Sequence, residues 1–153
     1  MCISKLPLAL TLVVTLALSN VMFAAVAKAD ALAVEDPFVR EVPPGSPATA
    51  AFMKLHNQSD VPVRLIDAQN SLTAYTELHD HVVIDEVMQM RQVDAIEIPA
   101  YGEVQLAPGG LHLMLIGLDQ SVSTGDSVNL NLIFDNGDVV EVGAPVRPVM
   151  PMR

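Results

Sequence analysis

The sequence has no tryptophan, two tyrosines and four phenylalanines in 153 residues, so a core has to be assembled from Leu, Val, Ile and Met. Cysteine is nearly absent too. The single one, Cys2, stands ahead of a long apolar run, whereas a lipoprotein signal places its cysteine after that run. One cysteine excludes a disulfide framework. A domain lying beyond Cys2 also lacks the thiolate that a blue-copper electron-transfer site requires. Basic side chains are scarce, with 8 Lys and Arg against 18 Asp and Glu. That balance argues against binding to nucleic acid or an anionic membrane; it suits solubility and attraction of cations. The chain shows no nucleophile–base motif, no phosphate-binding glycine loop and no paired-carboxylate signature. No segment holds a helical period over three turns, and there is no internal repeat or long linker.

The N-terminal stretch reads as a secretory signal. Lys5 gives a short positive start, Leu6 to Leu18 is almost wholly apolar, and Ala27-Lys28-Ala29 supplies a small-x-small cleavage site before Asp30. The run from Leu6 to Val26 is long enough to span a bilayer, since about 20 residues suffice, but Ser19 and Asn20 interrupt it. The expected organisation is a signal peptide at 1–29 and one domain at 30–153. Cleavage removes Lys5 and Lys28 and leaves 124 residues with six basic and eighteen acidic side chains, a net charge of −12. No membrane insertion is expected once the signal is gone.

The remainder reads as all-β. Short runs rich in β-branched or apolar residues fall at 48–55, 61–68, 75–81, 87–93, 103–106, 111–118, 127–134 and 139–142. Pro43-Pro44-Gly45, Pro108-Gly109-Gly110, Gly125-Asp126 and Asn136-Gly137-Asp138 punctuate them. Turn signals this close together predict a sandwich or barrel. Asn136-Gly137 predicts a type I′ hairpin, and the proline-rich tail from Pro145 to Arg153 is expected to be frayed or extended. Met53, inside an apolar strand, belongs in the core. His56, beside Asn57, reads as a polar residue of a turn.

Against this background four residues stand out: His79, Met90, His112 and Met114, in the pattern His-x10-Met-x21-His-x-Met. Imidazole and thioether donors without thiolate or carboxylate favour copper(I) over zinc, calcium or magnesium. His112 and Met114 are two apart on one strand and so share a face, with Cβ atoms roughly 7 Å apart. If 75–81 and 87–93 form an antiparallel hairpin centred between Ile84 and Asp85, His79 faces Met90 and His81 faces Met88, all on one side. A one-residue slip would move one strand's donors to the other face. Taken singly, each methionine is more often core filler and each histidine a satisfied polar residue.

The pattern resembles that of the periplasmic copper(I) chaperones called PCuAC, whose His-x10-Met-x21-His-x-Met motif is met at all four positions. Glu77-Leu78-His79, Val87-Met88-Gln89-Met90-Arg91, Glu97-Ile98-Pro99-Ala100-Tyr101-Gly102 and Pro108-Gly109-Gly110-Leu111-His112-Leu113-Met114 look like the family as well. The resemblance spans roughly 48–134. It implies a cupredoxin-like β-sandwich that carries copper(I) on His79, Met90, His112 and Met114. It further implies delivery in the periplasm toward the CuA centre of cytochrome oxidase subunit II, alongside Sco-type thiol-bearing assembly proteins. Two departures are visible: Ile84-Asp85-Glu86 lacks the glycine expected in that turn, and His81 is not among the four motif ligands. His81, Met88 and the tail methionines Met150 and Met152 are candidates for a second copper ion. A secreted β-sandwich that binds proteins without metal is the competing expectation; an enzyme ranks below both.

Overall fold

Alternation of inward apolar and outward polar residues builds this molecule strand by strand. The computed structural model describes residues 31–148; the expected signal peptide, Met150 and Met152 lie outside the described residues. In chain order the strands are β1 (Leu32–Arg40), β2 (Ala48–Asn57), β3 (Val63–Asn70), β4 (Tyr75–Ile84), β5 (Val87–Gln92), β6 (Ile96–Ile98), β7 (Glu103–Leu106), β8 (His112–Ile116), β9 (Ser127–Phe134) and β10 (Val139–Arg147). No helix occurs among the described residues. The fold is all-β, as expected.

The strands follow one hydrogen-bonded path, β5-β4-β8-β2-β1-β10-β9-β3-β6, with β7 paired to β2 beyond the end of β8. The path doubles over into two layers. Ala51, Met53, Leu55, Leu78, Leu113 and Leu115 from the first half share a single core with Leu65, Leu130, Leu132, Phe134, Ala144 and Val146 from the second. Met53 is in the core, as its apolar strand predicted. Because successive side chains alternate faces, burying Leu113 and Leu115 obliges His112 and Met114 to face outward. Burying Leu78 does the same for His79.

Three expectations are resolved or corrected. Of the two alternatives for the tail, the segment from Pro145 to Arg147 is extended rather than frayed: Val39 and Arg40 pair in parallel with Val146 and Arg147, closing the two layers. Inward-facing Ala144 and Val146 supply the burial that holds it, and Arg147 is clamped by Asp36 at 2.6 Å while its guanidinium lies 5.0 Å from the Phe38 ring centre. The second concerns Asn136-Gly137. Phe134 N–H bonds the Asp138 carbonyl, and only Gly137 takes a positive φ, of 86°. The loop therefore has three residues, a type I turn closed by a glycine bulge rather than a type I′ turn. The third is β1, absent from the expected strands because Asp36-Pro37 interrupts its alternation. Asp36 at φ 49° makes a bulge between Glu35 and Phe38, and a bulge is one of the few places where a sheet accepts proline.

Candidate metal centre

Strands β4, β5 and β8 supply the outer-face cluster, and β2 flanks it. Strand β8 lies between β2 and β4, with Met114 opposite Ala50 on one side and Glu77 on the other. One strand step along, His112 faces His79. On the far side of β4, Met90 of β5 stands directly across from His81, Met88 across from Val83, and Gln92 across from His79. The hairpin is thus offset by two residues from its expected register. Its centre falls between Asp85 and Glu86, which form a two-residue turn at φ 50° and 64°. Both values are positive, as a type I′ turn requires; the turn does without the glycine that the sequence led one to expect. An offset of two preserves faces, so Met90 stays on the same side as the histidines while its direct partner becomes His81 instead of His79.

His112 is the best-shielded member, 2% exposed although it is on the outer face. Phe52 lies 6.2 Å from it between ring centres, His79 5.7 Å, and His81 stacks on it at 5.0 Å. Its Nδ1 sits 2.9 Å from the Gly110 carbonyl oxygen. A carbonyl only accepts, so Nδ1 carries the hydrogen and the neutral ring keeps its lone pair on Nε2. Burial pushes the His112 pKa below the usual histidine value. The Gly110 bond opposes that shift, and the nearby His81, His79 and Arg40 reinforce it. The imidazole is therefore held neutral, the form that binds metals.

His79 is tied the other way round. Its Nε2 lies 2.7 Å from Glu77 Oε2, and a carboxylate partner makes that nitrogen the donor. The lone pair of the neutral ring is left on Nδ1, which is buried and has no hydrogen-bond partner. His81 Nδ1 is in the same condition. Buried polar atoms are nearly always paired, and these two imidazole nitrogens, on residues one strand step apart, are polar groups that the chain itself leaves unmet.

A cavity of about 180 Å³ opens beside these rings, its wall including His81, Met90, His112, Met114, Phe52 and Arg40. Ala48 and Ala50 on β2 leave the room that larger side chains would fill, and Gly109, at φ 86°, turns the chain past its rim. His79 adjoins the cavity through His112 rather than forming its wall. Among the described residues no group of three or more His, Cys, Asp or Glu side chains is placed to hold a metal ion; the other soft donor atoms at the cavity wall are the thioethers of Met90 and Met114. The donors grade from deeply shielded His112 to Met90, 46% exposed at the rim.

All four motif residues thus meet on one face, and the sequence reading missed their supports. Glu77, the Gly110 carbonyl, Phe52 and the two alanines all shape the site. Glu77 was within reach of strand alternation, being two residues before His79; Phe52 comes from a strand whose pairing only the fold discloses. His56 is not in a turn but on β2, its ring bracketed by Glu35 at 2.7 Å and Glu103 at 3.3 Å, away from the cluster.

Fold and cluster together define a cupredoxin-like β-protein with soft donors on an outer sheet face. Solved structures similar in fold include PCuAC domains. The copper-bound PCuAC domain from PmoF2 superposes with a TM-score of 0.66 at 25% identity, covering 78% of this chain and 94% of that one. The solution structure of CuI-DR1885 from Deinococcus radiodurans gives 0.61 at 31% identity, over 81% and 83%. The chain belongs to the LpqE-like family, described as "Putative lipoprotein LpqE-like", which matches residues 32–146; with these structural neighbours it is a PCuAC-family protein. Similar in sequence is "Putative lipoprotein Lxx21020" of Leifsonia xyli subsp. xyli (strain CTCB07), 31% identical over 121 residues, 78% of this chain and 72% of that protein.

Proposed function

We propose that this protein is a periplasmic copper(I) carrier, holding one ion through His79, Met90, His112 and Met114. The observation that carries this reading is the pair of thioethers that share a cavity wall with the His112 ring, beside the buried, unpartnered Nδ1 of His79. Such donors are neutral, so a bound copper(I) keeps its single positive charge, and sulfur ligation favours the reduced ion. Thioethers cannot form disulfides in an oxidising compartment, although they can become sulfoxides. The gradation from shielded His112 to exposed Met90 suits stepwise surrender of an ion, the behaviour of a carrier rather than of an enzyme. Two of the structural neighbours are titled as copper-bound and CuI forms, which supports the cargo.

Delivery toward the CuA centre of cytochrome oxidase subunit II, directly or through Sco-type proteins, is the finer part of the proposal. Release into the periplasm after cleavage at Ala29 is another. The related proteins are named lipoproteins, yet Cys2 precedes the apolar run instead of following it. The test is equilibrium dialysis of the mature chain under reducing conditions with copper and zinc both present. One copper per chain and little zinc are expected. Stoichiometric zinc, or copper no higher than on a control β-sandwich, would overturn the proposal in favour of another ligand set or a metal-free interaction module.

A further inference from the structure

The outer-face cluster contains a third imidazole that the four-residue set leaves unused. His81 shares its strand face with His79, one step away, and stands directly across from Met90. Its ring stacks on His112 with 5.0 Å between centres. The cavity wall includes His81, Met90, His112 and Met114, whereas His79 sits behind it with Nε2 fastened to Glu77. The Nδ1 atoms of both His79 and His81 are buried without partners, so each ring has a nitrogen that the chain leaves unmet.

We propose that His81 is a fifth donor to the same soft monovalent ion, exchanging with His79 while His112, Met90 and Met114 retain it. This rests on the carrier reading and extends it. The physical basis is the contrast between the two rings. Glu77 orients His79 and raises its basicity, as carboxylate partners do for metal-bound imidazoles. His81 instead sits beside exposed Met90. An ion that moves from His79 to His81 moves toward the rim, so the exchange gives an inner, holding arrangement and an outer, releasing one. Copper(I) needs no fixed coordination number, so the change requires only a side-chain adjustment.

The mature chain, with 15N-labelled histidine, is titrated with silver(I), a redox-inert soft monovalent probe, and the imidazole nitrogens are followed by NMR. At one equivalent the His81 Nδ1 resonance should shift as a coordinated nitrogen together with that of His112. In parallel, copper(I) affinity is measured by chelator competition for His79→Gln, His81→Gln and the double variant, with thermal melts verifying that each is folded. If the two rings substitute for one another, the double variant loses more than the product of the single losses, by about tenfold. A stationary His81 resonance, with a double variant no weaker than His79→Gln alone, overturns the proposal. The Met90→Leu/Met114→Leu protein separates the two readings. If it loses copper while His81 stays silent, only the fifth donor fails; if it keeps full affinity, the carrier reading fails as well.

Discussion

His112 is fixed from both ends: Gly110 takes its Nδ1 hydrogen, and Phe52, His79 and His81 enclose the ring. Its folded pKa lies below the ordinary 6.5. The stability it contributes is therefore fully present above about pH 6.5 and lost as pH falls through the lowered folded value, because the unfolded chain takes up a proton that the fold refuses. Urea midpoints of the metal-free protein should drop across that window, and His112→Gln should flatten the drop. Met90→Leu/Met114→Leu removes both sulfurs while nearly conserving volume and apolarity, so each change should cost less than about 1.5 kcal/mol of stability. Copper(I) affinity in a chelator competition should nonetheless collapse. Glu77→Ala leaves every donor in place but frees the His79 ring, and a loss of about 10–100-fold in copper(I) affinity is expected.

The hairpin β4–β5 is the element that brings Met90 to the histidines. All six residues of β5 are exposed, and among the described residues the strand pairs only with β4, at the end of the sheet. Its register depends largely on a turn whose two residues, Asp85 and Glu86, both take left-handed backbone angles. Such angles cost L-residues roughly 1–2 kcal/mol each, less for aspartate, whose short side chain tolerates them. Asp85→Asn/Glu86→Gly should accordingly raise stability by about 1 kcal/mol while leaving copper affinity unchanged; calorimetry and chelator competition check the two halves. The closure of β1 on β10 responds to acid instead. The guanidinium of Arg147 holds the Asp36 carboxyl below the ordinary carboxylate range, and the backbone N–H of Arg64, followed by its guanidinium, lowers that of Asp135 between β3 and the β9–β10 loop. Stability from these pairs is present above about pH 4 and lost as pH falls through the lowered values. Arg147→Ala should therefore weaken the acid dependence of unfolding, measured by urea titration between pH 5 and pH 2, all three figures being set by the ordinary carboxylate range of about 4.

At the level of the whole molecule, the site depends on a core it does not touch. Leu113 and Leu115, completely buried, alternate with His112 and Met114, so the inward faces of the same strand place the outward ones. Leu115→Ala should destabilise the protein by about 2–5 kcal/mol. At temperatures where the variant remains folded, its copper affinity should be close to that of the parent; a large loss there would mean that core and site are coupled more tightly than strand alternation requires. The charge of residues 30–153 acts at the same scale. With −12 spread over the domain, attraction of cations is long-ranged and screened by salt.

The sequence by itself determined the strand class, the shared face of His112 and Met114, and the chemical softness of the donor set. Alternation has a period of two and thioethers are chemically distinctive, so both are local properties. It also placed Met53 in the core. It did not determine the partner of Met90, because register depends on where a turn is centred, and Asp85-Glu86 adopts a glycine-like geometry without glycine. It gave no sign that Pro145–Arg147 completes a strand, since the pairing of Val146 with Val39 joins segments more than a hundred residues apart. Glu77 was visible one strand step from His79. The shielding of His112 by Phe52, the space left by Ala48 and Ala50, and the approach of His81 to His112 were not. Those features exist only once β2, β8 and β4 lie side by side, and what sets strands side by side is the packing of the two layers, which is a property of the whole chain.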